Sequence, residues 1–285
     1  GVSRGVDLYF AQTDFDDTGT ADYSTDETGL GLTFGYPVSD ESRISTSFAV
    51  QNTNLKARVE ERPTYIDDFF TVEGLSANTT KADFIEYKVG AAYGFDTLNK
   101  AFLPTDGTRH RLSLDLSIPG SDLEYYTANY LGETYIPVLE QEDVSLKFKT
   151  RLGFGDGIGD SQGLPFLKNF FAGGIRTVRG YEYNSLGPRA NNKQIGGNVL
   201  TTGTAALQFP MPGVKETDQA RLSLFGDAGQ VYADNVKLGE LRYSAGLALA
   251  WLTPIGPLSF TYASALNSES GDETKGFQFS IGSTF

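Results

Sequence analysis

Hydrophobic and polar residues alternate along most of this chain with a period of two, the spacing that puts apolar side chains on one face of a β-strand. In 243–251, Tyr243, Ala245, Leu247, Leu249 and Trp251 share one face, while Ser244, Gly246, Ala248 and Ala250 share the other. The division recurs at 144–154, where Val144, Leu146, Phe148, Leu152 and Phe154 oppose Lys147, Lys149, Arg151 and Gly153. In 109–118 the leucines 112, 114 and 116 oppose Arg111, Ser113 and Asp115, and in 83–95 Ile85, Tyr87 and Val89 oppose Phe84, Glu86 and Lys88. Similar segments near 5–12, 29–37, 42–51, 125–136, 199–209, 221–232, 257–265 and 275–285 bring the expectation to about twelve strands.

The second face decides between a soluble sandwich and a membrane barrel. A water-facing surface carries mostly long charged side chains, whereas here Gly, Ala, Ser and Thr mix with scattered charges of both signs. That mixture suits a crowded, wet interior, with the apolar face turned to lipid. Long connections (13–28, 52–82, 156–198) alternate with short ones (Pro37 to Glu41, Pro137 to Glu142, Thr253 to Gly256), as in outer-membrane barrels. Tyr36, Tyr126, Tyr135, Trp251 and Phe285 fall near strand ends and are expected at the level of the lipid headgroups. The predicted fold is all-β, an antiparallel transmembrane β-barrel occupying residues 1–285 as one domain.

Composition narrows the chemistry. The formal net charge of −13 leaves no basic stripe for a nucleic acid. There is no cysteine and one histidine, His110, which excludes thiolate sites and multi-histidine metal centres and leaves little room for a Ser-His-Asp arrangement. No apolar run approaches the roughly 20 residues of a helical span. The opening GVSRG resembles neither a signal peptide nor an initiator segment, so a fragment or processed product is expected. The acidic stretch DFDDTGTADYSTDE reads as a solvated loop, and GDGIGDSQG (155–163) as a flexible loop lacking the register of a calcium array. The glycines of 173–180 are not followed by the Gly-Lys-Ser/Thr of a phosphate cradle.

The longest stretch without alternation, 156–198, contains GGIRTVRGYEYNSLGPR (173–189). A loop of about 40 residues with no pattern of its own is usually functional when ordered. Composition alone also permits a mobile surface loop whose Arg176, Arg179 and Arg189 are merely solvated. If the loop instead folds into the interior, Arg179 requires a carboxylate. With Leu222 and Leu224 facing lipid, Arg221, Ser223, Phe225 and Asp227 face inward, so Asp227 is the expected bidentate partner. Gly180 permits the turn that presents the guanidinium.

VRGY (Val178, Arg179, Gly180, Tyr181) followed by GPR (187–189) resembles the loop-six signature of the BamA family, the outer-membrane β-barrel assembly factors. LPTDGTR (103–109), IPGSDLEYY (118–126), FFAGGIRTVRGY (170–181), WLTPIGPLSFTYA (251–263) and FQFSIGSTF (277–285) resemble family segments in the same order. The resemblance implies the C-terminal part of a sixteen-stranded barrel, with the periplasmic POTRA domains and first four family strands absent from this stretch. Twelve strands are then expected to close on themselves, 5–12 abutting 275–285, because open edges in lipid are prohibitive. The family's loop anchor maps to Arg179 and its wall acid to Asp227. A second wall acid falls at Gln208, inward but uncharged. Phe277, Phe279, Ile281 and Phe285 match the outward face of the terminal-strand signal, interrupted by Ser283, and Gly282 matches the glycine where the family's last strand kinks.

The implied activity is noncovalent insertion of outer-membrane β-barrel clients at a lateral seam by β-augmentation, with no cofactor, nucleotide or metal, reduced in this stretch by the missing parts. The implied partners are outer-membrane lipid, unfolded barrel clients and, mostly through the absent POTRA domains, accessory lipoproteins. The rival expectation is a passive outer-membrane pore with an open interior; a hydrolase at the rim near His110 is a weaker one.

Overall fold

A computed structural model describes residues 1–14, 23–57, 64–76, 78–139, 144–159, 161, 163–190, 193–213, 219–254 and 256–282. In chain order the strands are β1 (Ser3–Asp14), β2 (Tyr23–Pro37), β3 (Ser42–Ala57), β4 (Lys81–Asp96), β5 (Gly107–Ser117), β6 (Tyr125–Leu139), β7 (Val144–Gly157), β8 (Gly180–Tyr181), β9 (Arg189–Ala190), β10 (Lys193–Gln194), β11 (Val199–Pro210), β12 (Ala220–Tyr232), β13 (Arg242–Thr253), β14 (Gly256–Ala265), β15 (Thr274–Lys275) and β16 (Phe277–Ile281). One helix, α1 (Thr64–Val72), follows β3. Twelve of these strands form a single antiparallel sheet in the order β1-β2-β3-β4-β5-β6-β7-β11-β12-β13-β14-β16, each pairing with its sequence neighbours among the long strands.

The sheet is inside-out relative to a soluble protein. Leu30, Phe48, Leu114, Phe148, Leu224 and Leu247 are exposed on one face, whereas Gln51, Glu86, Lys147, Gln208, Arg221 and Asp227 are buried on the other. Alternation fixes this register, because a slip by one residue would turn every leucine inward. The tight reversal between β2 and β3 shows how the short connections form. Val38 N–H donates to Ser42 O, and Ser39 Oγ accepts from Ser42 N–H, at 2.9 and 3.1 Å.

Four expectations need correction. First, β1 and β16 do not pair, so the sheet is open between them. β16 has only five residues, all registered on β14, and β1 is exposed along nearly its whole length. Closure requires strand tilt and shear to match the strand number, and the curvature of these twelve strands leaves a gap. Second, the 13–28 and 52–82 connections are shorter than expected, because β2 begins at Tyr23, β3 runs to Ala57 and α1 occupies part of the second. Third, Tyr135 is buried, facing inward with Lys147 Nζ 5.3 Å from its ring centroid, whereas Tyr36, Tyr126 and Trp251 are exposed as expected. Tyr135 shares the parity of Glu133, and parity outranks proximity to a strand end. Fourth, segment 275–285 is broken at Gly276 into β15 and β16. Phe285 and Ser283 lie outside the described residues, as do 15–22 of the acidic stretch, Asp160 and Gln162 of GDGIGDSQG, and 140–143 of one short turn.

Above the sheet, α1 buries Ile66 and Phe70 against Leu55, Phe84, Leu123 and Phe166. Phe166, carried by the long loop, meets the edges of Tyr23 and Phe69 at centroid distances of 4.9 and 5.1 Å. Edge-to-face pairs of this kind add to the area term, so the cap also holds the loop's first third.

Candidate functional site

The loop turns tightly before its arginine. Gly173 and Gly174 have φ of +109° and +90°, a region that favours glycine. Thr177 Oγ1 donates to Gly173 O and accepts from Gly173 N–H, both at 2.9 Å, while Gly174 N–H donates to Val178 O at 3.1 Å. Val178 is then driven into the wall: it is fully buried with Ala172, Tyr181, Leu186 and Val231. The wall makes room for it at Gly229, where a Cβ would stand 2.7 Å from Val178 Cγ2.

Arg179 follows, 7 % exposed, and meets Asp227 of β12, 3 % exposed. Its Nε and one terminal nitrogen donate to Oδ2 and Oδ1 at 2.7 Å each, and its backbone N–H donates to Oδ2 at 3.0 Å. Thr204 of β11 adds a fourth donor to Oδ1 at 2.8 Å. The guanidinium carbon lies 3.3 Å from the centroid of the Phe225 ring. A planar fork is thus matched to a carboxylate on one side and an aromatic face on the other, a combination that lysine cannot reproduce.

Beyond Arg179 the chain docks on the last strands. Gly180, at φ +87°, donates through its N–H to Gln278 Oε1 at 3.4 Å, and Gln278 Nε2 donates to Tyr181 O at 2.7 Å. β8 pairs with β15, Gly180 opposite Lys275 and Tyr181 opposite Thr274. Lys275 reaches Glu182 at 2.9 Å. Burial tends to raise the Glu182 carboxyl, but the Tyr183 N–H and the Lys275 ammonium outweigh it and hold the group below its ordinary value. Gln278 itself is buried between outward-facing Phe277 and Phe279. Ile281 also faces outward, and Gly282, at φ +76°, still donates its N–H to Pro257 O of β14 at 2.8 Å.

Gln208 faces inward on β11 but forms no hydrogen bond to the loop, and its Oε1 is buried without a donor among the described residues. The structure therefore joins Arg179 to Asp227 and Gly180 and Tyr181 to the terminal strand, and leaves Gln208 apart. Thr204, Phe225 and Gln278 are partners that sequence reasoning missed, although all three carry inward parity. So does Glu86, which binds the loop's Lys168 from the far wall at 3.2 Å, with Glu27 adding a second contact at 2.8 Å. His110 bonds Thr108 and Tyr130, with no carboxylate beside it among the described residues, and no group of three or more metal-ligating side chains occurs among them.

A model of the Omp85 superfamily domain matches residues 1–285. The chain belongs to the Omp85 superfamily. Among its Omp85 relatives, outer membrane protein assembly factor BamA of Neisseria meningitidis serogroup B is 32 % identical over the whole chain, which spans 40 % of that protein. A SAM50-like protein of Schizosaccharomyces pombe is 26 % identical over 74 % of the chain and 47 % of its own length. The crystal structure of BamA from Haemophilus ducreyi lacking POTRA domains 1–3 superposes with a TM-score of 0.92 at 27 % identity, covering all of this chain and 59 % of that one. The chain thus spans 40 to 59 % of the length of these proteins, and the identity with BamA of Neisseria meningitidis extends over its full length.

Proposed function

We propose that this chain is the barrel portion of an outer-membrane insertase that folds and inserts β-barrel clients, with Val178, Arg179, Gly180 and Tyr181 as the loop anchor and Asp227 as its wall partner. The observation that carries this reading is the clamp linking one loop to both Asp227 and Gln278. It ties the loop to the strand that borders the open edge. β16 is short and ends at a left-handed glycine, so its free edge is weakly held and available for β-augmentation by a client strand. Phe277, Phe279 and Ile281 present an apolar face to lipid at that edge. A short seam strand also favours local thinning of the bilayer, which lowers the barrier to insertion. Gln208 lacks the charge needed for a second carboxylate clamp. The partners are outer-membrane lipid and unfolded barrel clients; contacts with accessory lipoproteins belong mainly to parts of the full-length protein outside this stretch. The reaction is one of strand exchange and needs no cofactor.

A passive pore requires an open interior, whereas here the loop crosses from Glu27 and Glu86 to Asp227. The test uses the full-length protein in liposomes, recording client assembly and single-channel conductance with and without Arg179→Ala. The insertase reading expects small conductance in the unmodified protein and client assembly slowed at least tenfold by the substitution. Large steady conductance together with unchanged assembly in the variant would overturn it.

A further inference from the structure

A cavity of about 210 Å³ lies inside the barrel between the loop's tip, at Arg176 and Arg179, and the 98–104 connection at the short-turn end. Six cationic side chains line it, Arg109, Lys147, Lys149, Arg151, Arg176 and Arg179, against one lining carboxylate, Glu133. This is the reverse of the chain's overall charge of −13. The nearby carboxylates are already engaged. Glu133 lies 3.9 Å from Arg109 and 3.6 Å from Lys149, Asp96 pairs with Arg109 at 2.8 Å, and Asp227 holds Arg179.

Lys147, Arg151 and Arg176 have no carboxylate within 4 Å among the described residues. Lys147 is 5 % exposed, with its Nζ 5.3 Å from the centroid of the Tyr135 ring. Arg151 Nε is buried without an acceptor, and Gln208 Oε1, in the same cavity, without a donor. Lys147 is buried and Arg151 half-buried, and cations so placed without counter-charge are costly; an anion bound beside them, with the exposed Arg176 at the rim, removes that cost. The remaining wall mixes apolar side chains, Phe102, Leu131, Ile175 and Leu258, with the hydroxyls of Thr177, Thr204 and Ser223. The volume falls below the roughly 300–1,000 Å³ of sites for drug-sized ligands. The strand ladder from β4 to β14 stands between these walls of the cavity and the bilayer.

We propose that this cavity binds an organic oxyanion, a carboxylate or phosphate monoester on a small apolar body, with Lys147, Arg151 and Arg176 as its counter-charge. The proposal does not depend on the assembly function. Ala206 is registered opposite Lys147, which places Gln208 one diagonal step from it, within reach of long side chains. Gln208→Glu therefore supplies an internal carboxylate that competes with the ligand.

The experiment is calorimetric titration of the purified full-length protein in detergent at low salt with N-acetylphenylalanine, its uncharged amide and phenyl phosphate. At least one of the two anions is expected to bind saturably at one site and at least tenfold more tightly than the amide; whichever anion binds better identifies the oxyanion class. Lys147→Met and Gln208→Glu are each expected to weaken that binding at least tenfold. Equal affinity for acid and amide, no binding of either anion by the unmodified protein, or undiminished binding in folded Gln208→Glu would overturn the proposal. The comparison of acid with amide needs no variant, so it stands even if Lys147→Met fails to fold.

Discussion

Lys168, carried on the long loop, places its ammonium 3.2 Å from Oε1 of Glu86, a carboxylate with no exposed surface on β4. Thr53 Oγ1 and Tyr125 OH donate to the same carboxylate at 2.9 and 2.6 Å, and Lys88 approaches it at 3.3 Å. The loop is thus fixed to two walls, by a cation at each: Lys168 on the β2 and β4 side, Arg179 on the β12 side.

The two ends of this first tether differ in what their removal leaves behind. Lys168→Met leaves Glu86 with Lys88, Thr53 and Tyr125, so the loss is expected to fall below the ~3–5 kcal/mol of breaking an isolated buried pair. Glu86→Gln removes a carboxylate shared by two ammonium groups, leaving Lys168 with Glu27 and Lys88 with Gln51, both at 2.8 Å, and is expected to cost more than Lys168→Met because Lys88 loses its only carboxylate within 4 Å among the described residues. Amide hydrogen exchange at Lys168 and Asn169, whose N–H groups bond Pro165 O and Phe166 O, reads the effect directly. Faster exchange in Lys168→Met than in Glu86→Gln would show that the carboxylate is held by its other donors and that the loop does not rely on it.

Gly180→Ala tests whether the anchor depends on backbone geometry as well as charge. At φ +87° an alanine pays about 1–2 kcal/mol for the left-handed conformation. Its Cβ would also stand 3.3 Å from Ala263 Cβ and 3.4 Å from the β14 backbone, which must give way. Gly74, at φ +70° with nothing within 4 Å of a Cβ, isolates the conformational part, and Gly239 lacks both penalties. Thermal unfolding should therefore rank the alanine variants Gly180 below Gly74 below Gly239. A Gly180→Ala protein as stable as Gly74→Ala would mean that the β8 and β15 pair shifts off β14 without cost.

How far the sequence disclosed this molecule depends on the range of the interaction concerned. The side of each strand is a local property, set by a period of two, and Asp227 could be assigned to the interior because Leu222 and Leu224 flank it in parity. Tyr135 obeys the same rule: its parity with Glu133 turns it inward although it lies near a strand end. Which wall a loop residue meets is a long-range property set by sheet curvature, so Glu86 carried the same inward signature as Asp227 while its partner Lys168, 82 positions away in a segment without periodicity, gave no sign of it. Closure between β1 and β16 depends on the same curvature and was misjudged for the same reason. α1 escaped notice because nine residues, TYIDDFFTV, are too few for periodicity to stand out, and short helices gain their stability from packing rather than propensity.

That last point yields a prediction about the cap. Phe70 is fully buried, and with Ile66 it forms the apolar stripe by which α1 rests on Leu55, Phe84 and Phe166. Phe70→Ala removes a ring from a packed cluster, for which about 3–5 kcal/mol is the usual loss. A nine-residue helix cannot persist without that contact, so α1 should unfold locally while the sheet, whose hydrogen bonds lie elsewhere, keeps its ladder. Loss of the cap should also free Phe166, and through it loosen the loop as far as Lys168. Limited proteolysis in detergent is expected to cut within 64–76 in the variant and to leave β11 to β14 intact. Cleavage confined to 64–76 with no change in exchange at Lys168 would show that the cap and the loop are independent, and that the Lys168 tether alone positions the loop's first third.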